Sequence, residues 1–278
     1  MILKSSLQDL LTSINLSNDI PKDVWIDKNN KYSINYNMDC VKLLELLPDK
    51  CITVSIVDPP YGINLQKMRL GKGAKYYKEY EMFDDSKAPD INYWYHLFRV
   101  SKYVVAFGAN HYISTLEKVL GEGVNSSSWI VWDKMGRTDY ADGELAWTNF
   151  GKVARIFNFL WSGFRQGDQK NKEIRIHPNH KPIPLYKYII TRFNIADMNE
   201  GNPIILDTHL GGGSSRIAAA QLGVEFLGCE INPVYFKDSN DRFFDLIIDK
   251  PTLNFDVLTT DDSNIMLFNE ENTEVDNA

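Results

Sequence analysis

Residues 203–230 read PIILDTHLGGGSSRIAAAQLGVEFLGCE, and the order of residue types in this stretch decides the fold class. An apolar run at 203–206 ends on Asp207, and a loop holding three successive glycines follows. Residues 215–222 then carry apolar side chains at helical spacing, and a second apolar run, 224–227, leads to Glu230. Apolar runs without polar alternation belong to strands covered on both faces, and such strands joined through a helix are parallel. The glycines let the backbone approach a ligand closely at the N-terminus of the helix. A carboxylate ending the next strand stands where it can accept from both hydroxyls of a ribose, so the stretch reads as a nucleoside-binding half-fold. Its expected contacts are Asp207, Leu210, Gly211, Gly212, Gly213, Ser214, Ser215, Glu230 and Ile231. A dinucleotide fingerprint counted from Gly211 needs a further glycine where Arg216 stands, which disfavours a nicotinamide-dependent oxidoreductase. For the glycines alone, a turn of purely structural use stays open.

Outward from this unit the same grammar recurs. Apolar runs at 32–36, 52–57, 103–107 and 129–132 read as further strands. Helices are expected at 41–47, 93–99, 111–120 and 184–192, with one more opening at Pro233 behind the capping residue Asn232. The fold class is therefore α/β, a mostly parallel twisted sheet with helices on both faces. Two regions fit the alternation poorly and are expected as insertions: residues 64–90, rich in Lys, Tyr and Gly, and residues 133–179, rich in Trp, Phe, Arg and Gly. Residues 1–30 are expected as an N-terminal appendage, 31–250 as the main domain, and 251–278 as an acidic flexible tail.

The net charge of -7 argues against a polyanionic partner until its location is considered. From position 254 onward the chain carries Asp256, Asp261, Asp262, Glu270, Glu271, Glu274 and Asp276 with no Lys or Arg, which leaves the remainder neutral. Within that remainder Lys67, Arg69, Lys72 and Lys75 cluster around Tyr76 and Tyr77, a composition suited to a phosphate backbone and equally to a solvated loop. Cys40, Cys51 and Cys229 have no metal-ligand spacing and are expected as reduced structural thiols. With neither a long apolar span nor the pattern of a signal peptide, the expected location is cytoplasmic.

The second informative stretch is Asp58-Pro59-Pro60-Tyr61, directly after the run 52–57. Open parallel sheets place ligand-binding groups at the carboxyl ends of their strands, and two prolines fix the backbone there. The result is a rigid corner with an acceptor and a flat face. An exocyclic amine on a heterocycle has its lone pair delocalised into the ring, and in-line attack on a methyl donor requires that delocalisation to be broken. Asp58 and the Pro59 carbonyl accepting the two amino hydrogens would favour a pyramidal nitrogen, while Tyr61 stacks on a base turned out of its duplex. Against this stands the plain reading of Asp-Pro as a strand-terminating turn.

With both stretches in hand, the chain resembles the beta class of amino-group DNA methyltransferases, which place the catalytic stretch before the cofactor-binding one. The resemblance covers roughly residues 32–245 on boundaries read from sequence and includes His177-Pro178-Asn179-His180-Lys181-Pro182. It implies a Rossmann-like methyltransferase fold with permuted order and a small target-recognition insertion. It also implies S-adenosylmethionine as cofactor and double-stranded DNA as partner, with a homodimer among the assemblies to expect, and restriction–modification as a setting. Asp39 and Cys40 would meet the cofactor adenine, and Lys181 and Pro182 would border its methionine end. Aspartate at position 58 points to N6 of adenine, with N4 of cytosine or an RNA adenine as alternatives. Asp207-Thr208-His209-Leu210 departs from the family's usual Pro and Phe after the aspartate, so packing is the expected role of His209. Residues 132–135, 145–148 and 155–157 look like the target-reading segment of phage-encoded and stand-alone members, and Arg137 and Arg165 are the arginines expected there on DNA.

A cytosine-C5 enzyme is excluded on chemistry, because it needs a nucleophilic thiol and the chain has no Pro-Cys pair. A non-catalytic DNA-binding protein would keep the basic segments without Asp58, Tyr61, Gly211 and Glu230. His177 and His180 lack a neighbouring carboxylate or thiol at ligand spacing, so no metal is expected.

Overall fold

The computed structural model describes residues 6–14, 16–63, 85–121, 124, 128–136, 141–151, 153–162 and 165–247. In chain order the elements begin with α1 (Leu7–Ser13), β1 (Lys22–Ile26), β2 (Tyr32–Asn37), α2 (Cys40–Leu46) and β3 (Ile52–Val57). They continue with α3 (Ile91–Val100), β4 (Ser101–Phe107), α4 (Ile113–Leu120), β5 (Trp129–Asp133), β6 (Gly143–Thr148) and β7 (Arg155–Asn158). The last are β8 (Trp161–Ser162), β9 (Arg165–Gln166), α5 (Ile183–Arg192), β10 (Ile204–Asp207), α6 (Ser214–Gln221), β11 (Glu225–Glu230) and α7 (Pro233–Ile247).

Nine strands form one sheet in the order β1-β2-β11-β10-β3-β4-β6-β5-β7, and β8 pairs with β9 apart from it. The central strands β2, β11, β10, β3 and β4 are mutually parallel, whereas β1 and β6 run antiparallel to their neighbours. Every residue of β3, β10 and β11 is buried, which is why these strands read as unbroken apolar runs. Helices cover both faces. Leu43 and Leu44 of α2, Trp94 and Leu97 of α3 and Leu116 of α4 belong to one core cluster. Leu185 and Ile189 of α5, Ile217 of α6 and Phe243 of α7 belong to the other. The α/β class is as expected.

Two segments fit the sheet more closely than their sequence suggested. Leu7 and Leu10, in the expected appendage, are buried in the first cluster, and the Leu7 N–H donates to Glu225 of β11 at 2.9 Å. β1 is an edge strand of the same sheet, pinned by Arg216 of α6. That guanidinium donates to Asp23 at 2.6 Å and to Ser33 Oγ at 2.9 Å while lying over the Phe243 ring. Within residues 133–179, β6 and β7 extend the main sheet and do not stand apart from it. Residues 64–84 and 248–278 lie outside the described residues, so the first expected insertion, apart from 85–90, and the acidic tail do as well. Among the described residues, no helix is long and apolar enough to cross a membrane.

Candidate active site at the carboxyl edge of the sheet

β3 and β10 are parallel neighbours, with Ile205 opposite Val54 and Leu206 opposite Ser55. Their carboxyl ends, at Asp58 and Asp207, therefore emerge side by side although the two residues are far apart in the chain. A cleft of about 460 Å³ opens at that edge. Of the residues expected at the site, Asp39, Cys40, Asp58, Pro60, Lys181, Leu210, Gly211, Gly212, Ser214, Glu230 and Ile231 border it. Pro59, Tyr61, Pro182, Asp207, Gly213 and Ser215 are not among the residues that border it. His177 and His180 also border the cleft, as does His209, for which packing was expected.

The corner after β3 is held on all sides. The Tyr61 hydroxyl donates to Asp58 Oδ1 at 2.7 Å, and the Lys181 ammonium donates to Asp58 Oδ2. Two consecutive amides, Tyr61 at 2.7 Å and Gly62 at 3.1 Å, donate to the buried carboxylate of Asp85, which locks the turn. The Tyr61 ring stacks on His111 at 5.1 Å and 17°. Its other neighbour is Gly108, where a Cβ would fall 2.1 Å from the ring, so glycine is required for the ring to lie there. Burial raises the pKa of Asp58, with Lys181 and Tyr61 pulling the other way. Burial likewise works against the Lys181 charge, but Asp58 and Glu144 outweigh it and hold the ammonium.

Around the glycine loop most polar atoms are engaged with the loop itself. Glu230 accepts the Gly211 N–H and the Asn232 N–H, each at 2.9 Å, which fixes its carboxylate at the mouth of the cleft. Asp207 accepts the His209 N–H at 3.0 Å and the Ser215 hydroxyl, and burial pushes its pKa up to about 7. Gly213 has φ +75° and leads into α6, a conformation that favours glycine. Asp39 caps α2, its Oδ1 accepting from Val41 at 2.8 Å and Lys42 at 3.3 Å. Cys40 faces His209, and burial pushes its thiol up to about 12, so it is a neutral wall and no nucleophile.

Residues from the neighbouring segments complete the site. His180 Nε2 lies 3.2 Å from Ser214 Oγ, and Arg242 donates to the Gly212 carbonyl at 2.6 Å and to Glu173 at 2.6 Å. Sequence reasoning missed Glu144 of β6, which pairs with Lys134 at 2.6 Å and with Lys181 at 3.1 Å. It also missed Asp85. Neither has a local signature, because each acts through partners distant in the chain. Arg165 lies exposed on β9, and Lys67, Arg69, Lys72, Lys75 and Arg137 lie outside the described residues. Among the described residues, no group of three or more His, Cys, Asp or Glu side chains could hold a metal ion.

A DNA methylase family model, that of the N6/N4 type, matches residues 147–241, which span the segment from β6 through the glycine loop into α7. Over those residues the chain matches the N6/N4 amino-methyltransferase family. Among its relatives, the type II methyltransferase M.HpaI of Haemophilus parainfluenzae is 24% identical over 235 residues, covering 73% of this chain and 72% of that protein. The type II methyltransferase M1.MboII of Moraxella bovis is 23% identical over 260 residues, covering 74% and 94%. A solved structure titled PvuII DNA methyltransferase, cytosine-N4-specific, aligns with a TM-score of 0.48 at 12% identity over 77% of this chain and 90% of that one. The family match and these relatives support a DNA methyltransferase acting on an amino group.

Proposed function

We propose that this methylase transfers a methyl group from S-adenosylmethionine to N6 of adenine in double-stranded DNA, by direct in-line transfer to a base flipped out of the duplex. The observation that carries the reading is that Asp58 and Pro60 of the rigid corner border the same cleft as Gly211, Gly212 and Glu230. The cleft's volume lies within the range of small-molecule sites. Glu230 is held by two backbone amides and keeps acceptor capacity for ribose hydroxyls, so the donor and acceptor chemistry suits a nucleoside.

When bound, S-adenosylmethionine supplies an electrophilic methyl group on a sulfonium. The chain's own part is to orient the amine. Asp58 accepts one amino hydrogen and the Pro59 carbonyl the other, which holds the nitrogen lone pair out of the ring and toward the cleft. Tyr61, immobilised against Gly108 and His111, offers an aromatic surface that need not be ordered on binding. No covalent intermediate is required, since the amine attacks the methyl group directly, and the thiol that borders the cleft, Cys40, is held protonated by burial. Adenine is favoured over cytosine by the aspartate at position 58. Lys67, Arg69, Lys72, Lys75, Arg137 and Arg165 are proposed as phosphate contacts.

The test is nucleoside mass spectrometry of DNA from cells expressing either the wild type or Asp58→Ala. N6-methyladenine with the wild type alone is expected. N4-methylcytosine would overturn the choice of base, and no methylated base would overturn the reaction.

A further inference from the structure

Each Asp58 oxygen already accepts from one donor in this structure, Oδ1 from the Tyr61 hydroxyl and Oδ2 from the Lys181 ammonium, and each keeps a second lone pair. An amino hydrogen of the target base that engages Asp58 becomes a third donor to the same carboxylate charge and loosens its hold on the other two. Tyr61 is confined by Gly108 and His111, whereas Lys181 has a flexible stem. Lys181 is buried, so moving it off Asp58 without a new partner would strand a charge in a desolvated site.

A destination lies within reach. Glu144 Oε2 is 3.1 Å from Lys181 Nζ. That oxygen is closed off from solvent and accepts no well-aligned hydrogen bond, so its acceptor capacity is unspent. The other oxygen, Oε1, is tied to Lys134 at 2.6 Å, which holds the carboxylate in place. The Lys181 ammonium is also 3.3 Å from the Tyr61 hydroxyl and 4.9 Å from the centre of the Phe107 ring, so polar and π-electron density lines its surroundings. Burial works to neutralise Glu144, but Lys181 and Lys134 outweigh it and hold the carboxyl down at about 2, so it stays ionised.

We infer that Glu144 is a positioning residue for methyl transfer: it is the second berth of the Lys181 ammonium, which passes from Asp58 to Glu144 when a target amine engages Asp58. This rests on the function proposed above. The displaced ammonium stays beside Asp58, so the carboxylate that grips the base remains ionised. β6 lies in the part of the chain expected to read the target, so the berth ties that segment to the catalytic corner.

The experiment uses the full chain, radiolabelled S-adenosylmethionine and unmethylated genomic DNA. Single-turnover rates, the apparent KM for DNA, cofactor Kd by calorimetry and thermal midpoints are measured for the wild type, Asp58→Ala, Glu144→Gln, Glu144→Asp, Lys181→Met and the double variant Glu144→Gln/Lys181→Met. Glu144→Gln should slow the single turnover about ten- to hundredfold, the usual consequence of a buried charge left without its partner. Cofactor Kd should stay within about twofold, because Glu144 does not border the cleft. Glu144→Asp should recover part of the rate, and the double variant should be no slower than the slower single. A wild-type rate in Glu144→Gln overturns the berth, as does a double variant whose losses multiply. So does a rate loss matched by equal losses of cofactor affinity and thermal midpoint. Wild-type turnover by Asp58→Ala, or no transfer by the wild type, overturns the functional reading and the berth with it.

Discussion

Gly108 offers a quantitative test of the corner, because it lies outside the cleft yet sets the position of Tyr61. It has φ +67°, and a Cβ built on it falls 2.1 Å from Tyr61 Cε1 and 2.5 Å from Cδ1 and Cζ. Gly108→Ala therefore incurs two costs: about 1–2 kcal/mol for an L side chain in the left-handed region, and about 1–3 kcal/mol for overpacking against a ring that cannot rotate freely. The ring is fixed by its hydroxyl on Asp58 and its stack on His111, so it moves bodily. For a chain of this size the sum, about 2–5 kcal/mol, lowers the thermal midpoint by roughly 3–9 °C. A displacement of about 1 Å at a positioning group lowers turnover about a hundredfold. Gly223→Ala is the control: φ is +65° but no heavy atom lies within 4 Å of its Cβ, so only the backbone cost applies. The assay is single-turnover methyl transfer on folded protein, with calorimetric titration of S-adenosylmethionine beside it. Gly108→Ala should lose turnover while retaining cofactor affinity, and Gly223→Ala should retain both. Equal turnover in the two variants would refute the claim that the Tyr61 ring must sit where this glycine permits.

Tyr61→Ala should weaken capture of the target base by about 1–3 kcal/mol, read as a rise in KM for DNA; an unchanged KM removes stacking from the mechanism. Glu230→Ala should weaken cofactor affinity more than DNA affinity, because it strips the acceptor from two loop amides; equal losses indicate a damaged fold. His177, buried beside Gly211, is held neutral mainly by burial, with a pKa of about 3 against 6.5 for the free group. A depressed pKa means that the unfolded chain binds the proton first, so this contribution is present above pH 6.5 and is lost as pH falls. Between pH 7 and 5 the wild type should lose about 2 kcal/mol more stability than His177→Gln in denaturant titrations, and parallel curves would contradict the assignment.

Much of the fold was legible because its central strands are buried on both faces. The runs at 52–57, 203–206 and 224–227 coincide closely with β3, β10 and β11, and the expected helices at 184–192 and 215–222 with α5 and α6. What was not legible shares one cause. β1 has a burial pattern that alternates exposed and half-buried residues, and α1 is only seven residues long, so neither carries a strong periodic signal by itself. Their place in the sheet depends on Arg216 reaching Asp23 and on Glu225 accepting from Leu7, contacts between residues about two hundred positions apart. β6 was hidden in the same way: its burial comes from lying between β4 and β5, and the sequence GELAWT has charge at one end and bulk at the other.

The site divides along the same line. Asp58 and Gly211 to Gly213 were legible because backbone geometry demands them locally: a strand end fixed by two prolines, and a loop entering a helix through positive φ. Asp39 was legible as a residue but its work is shared. One of its oxygens is committed to two amides of α2, so a ligand contact falls to the other, Oδ2, and Asp39→Asn, which keeps one carbonyl oxygen, would preserve the helix while removing the charge facing the cleft. The difference in cofactor affinity between Asp39→Asn and Asp39→Ala, with helix stability lost only in the alanine variant, separates capping from recognition. Equal affinities in Asp39→Asn and the wild type would assign Asp39 to α2 alone and leave Glu230 as the acidic residue that meets the nucleoside.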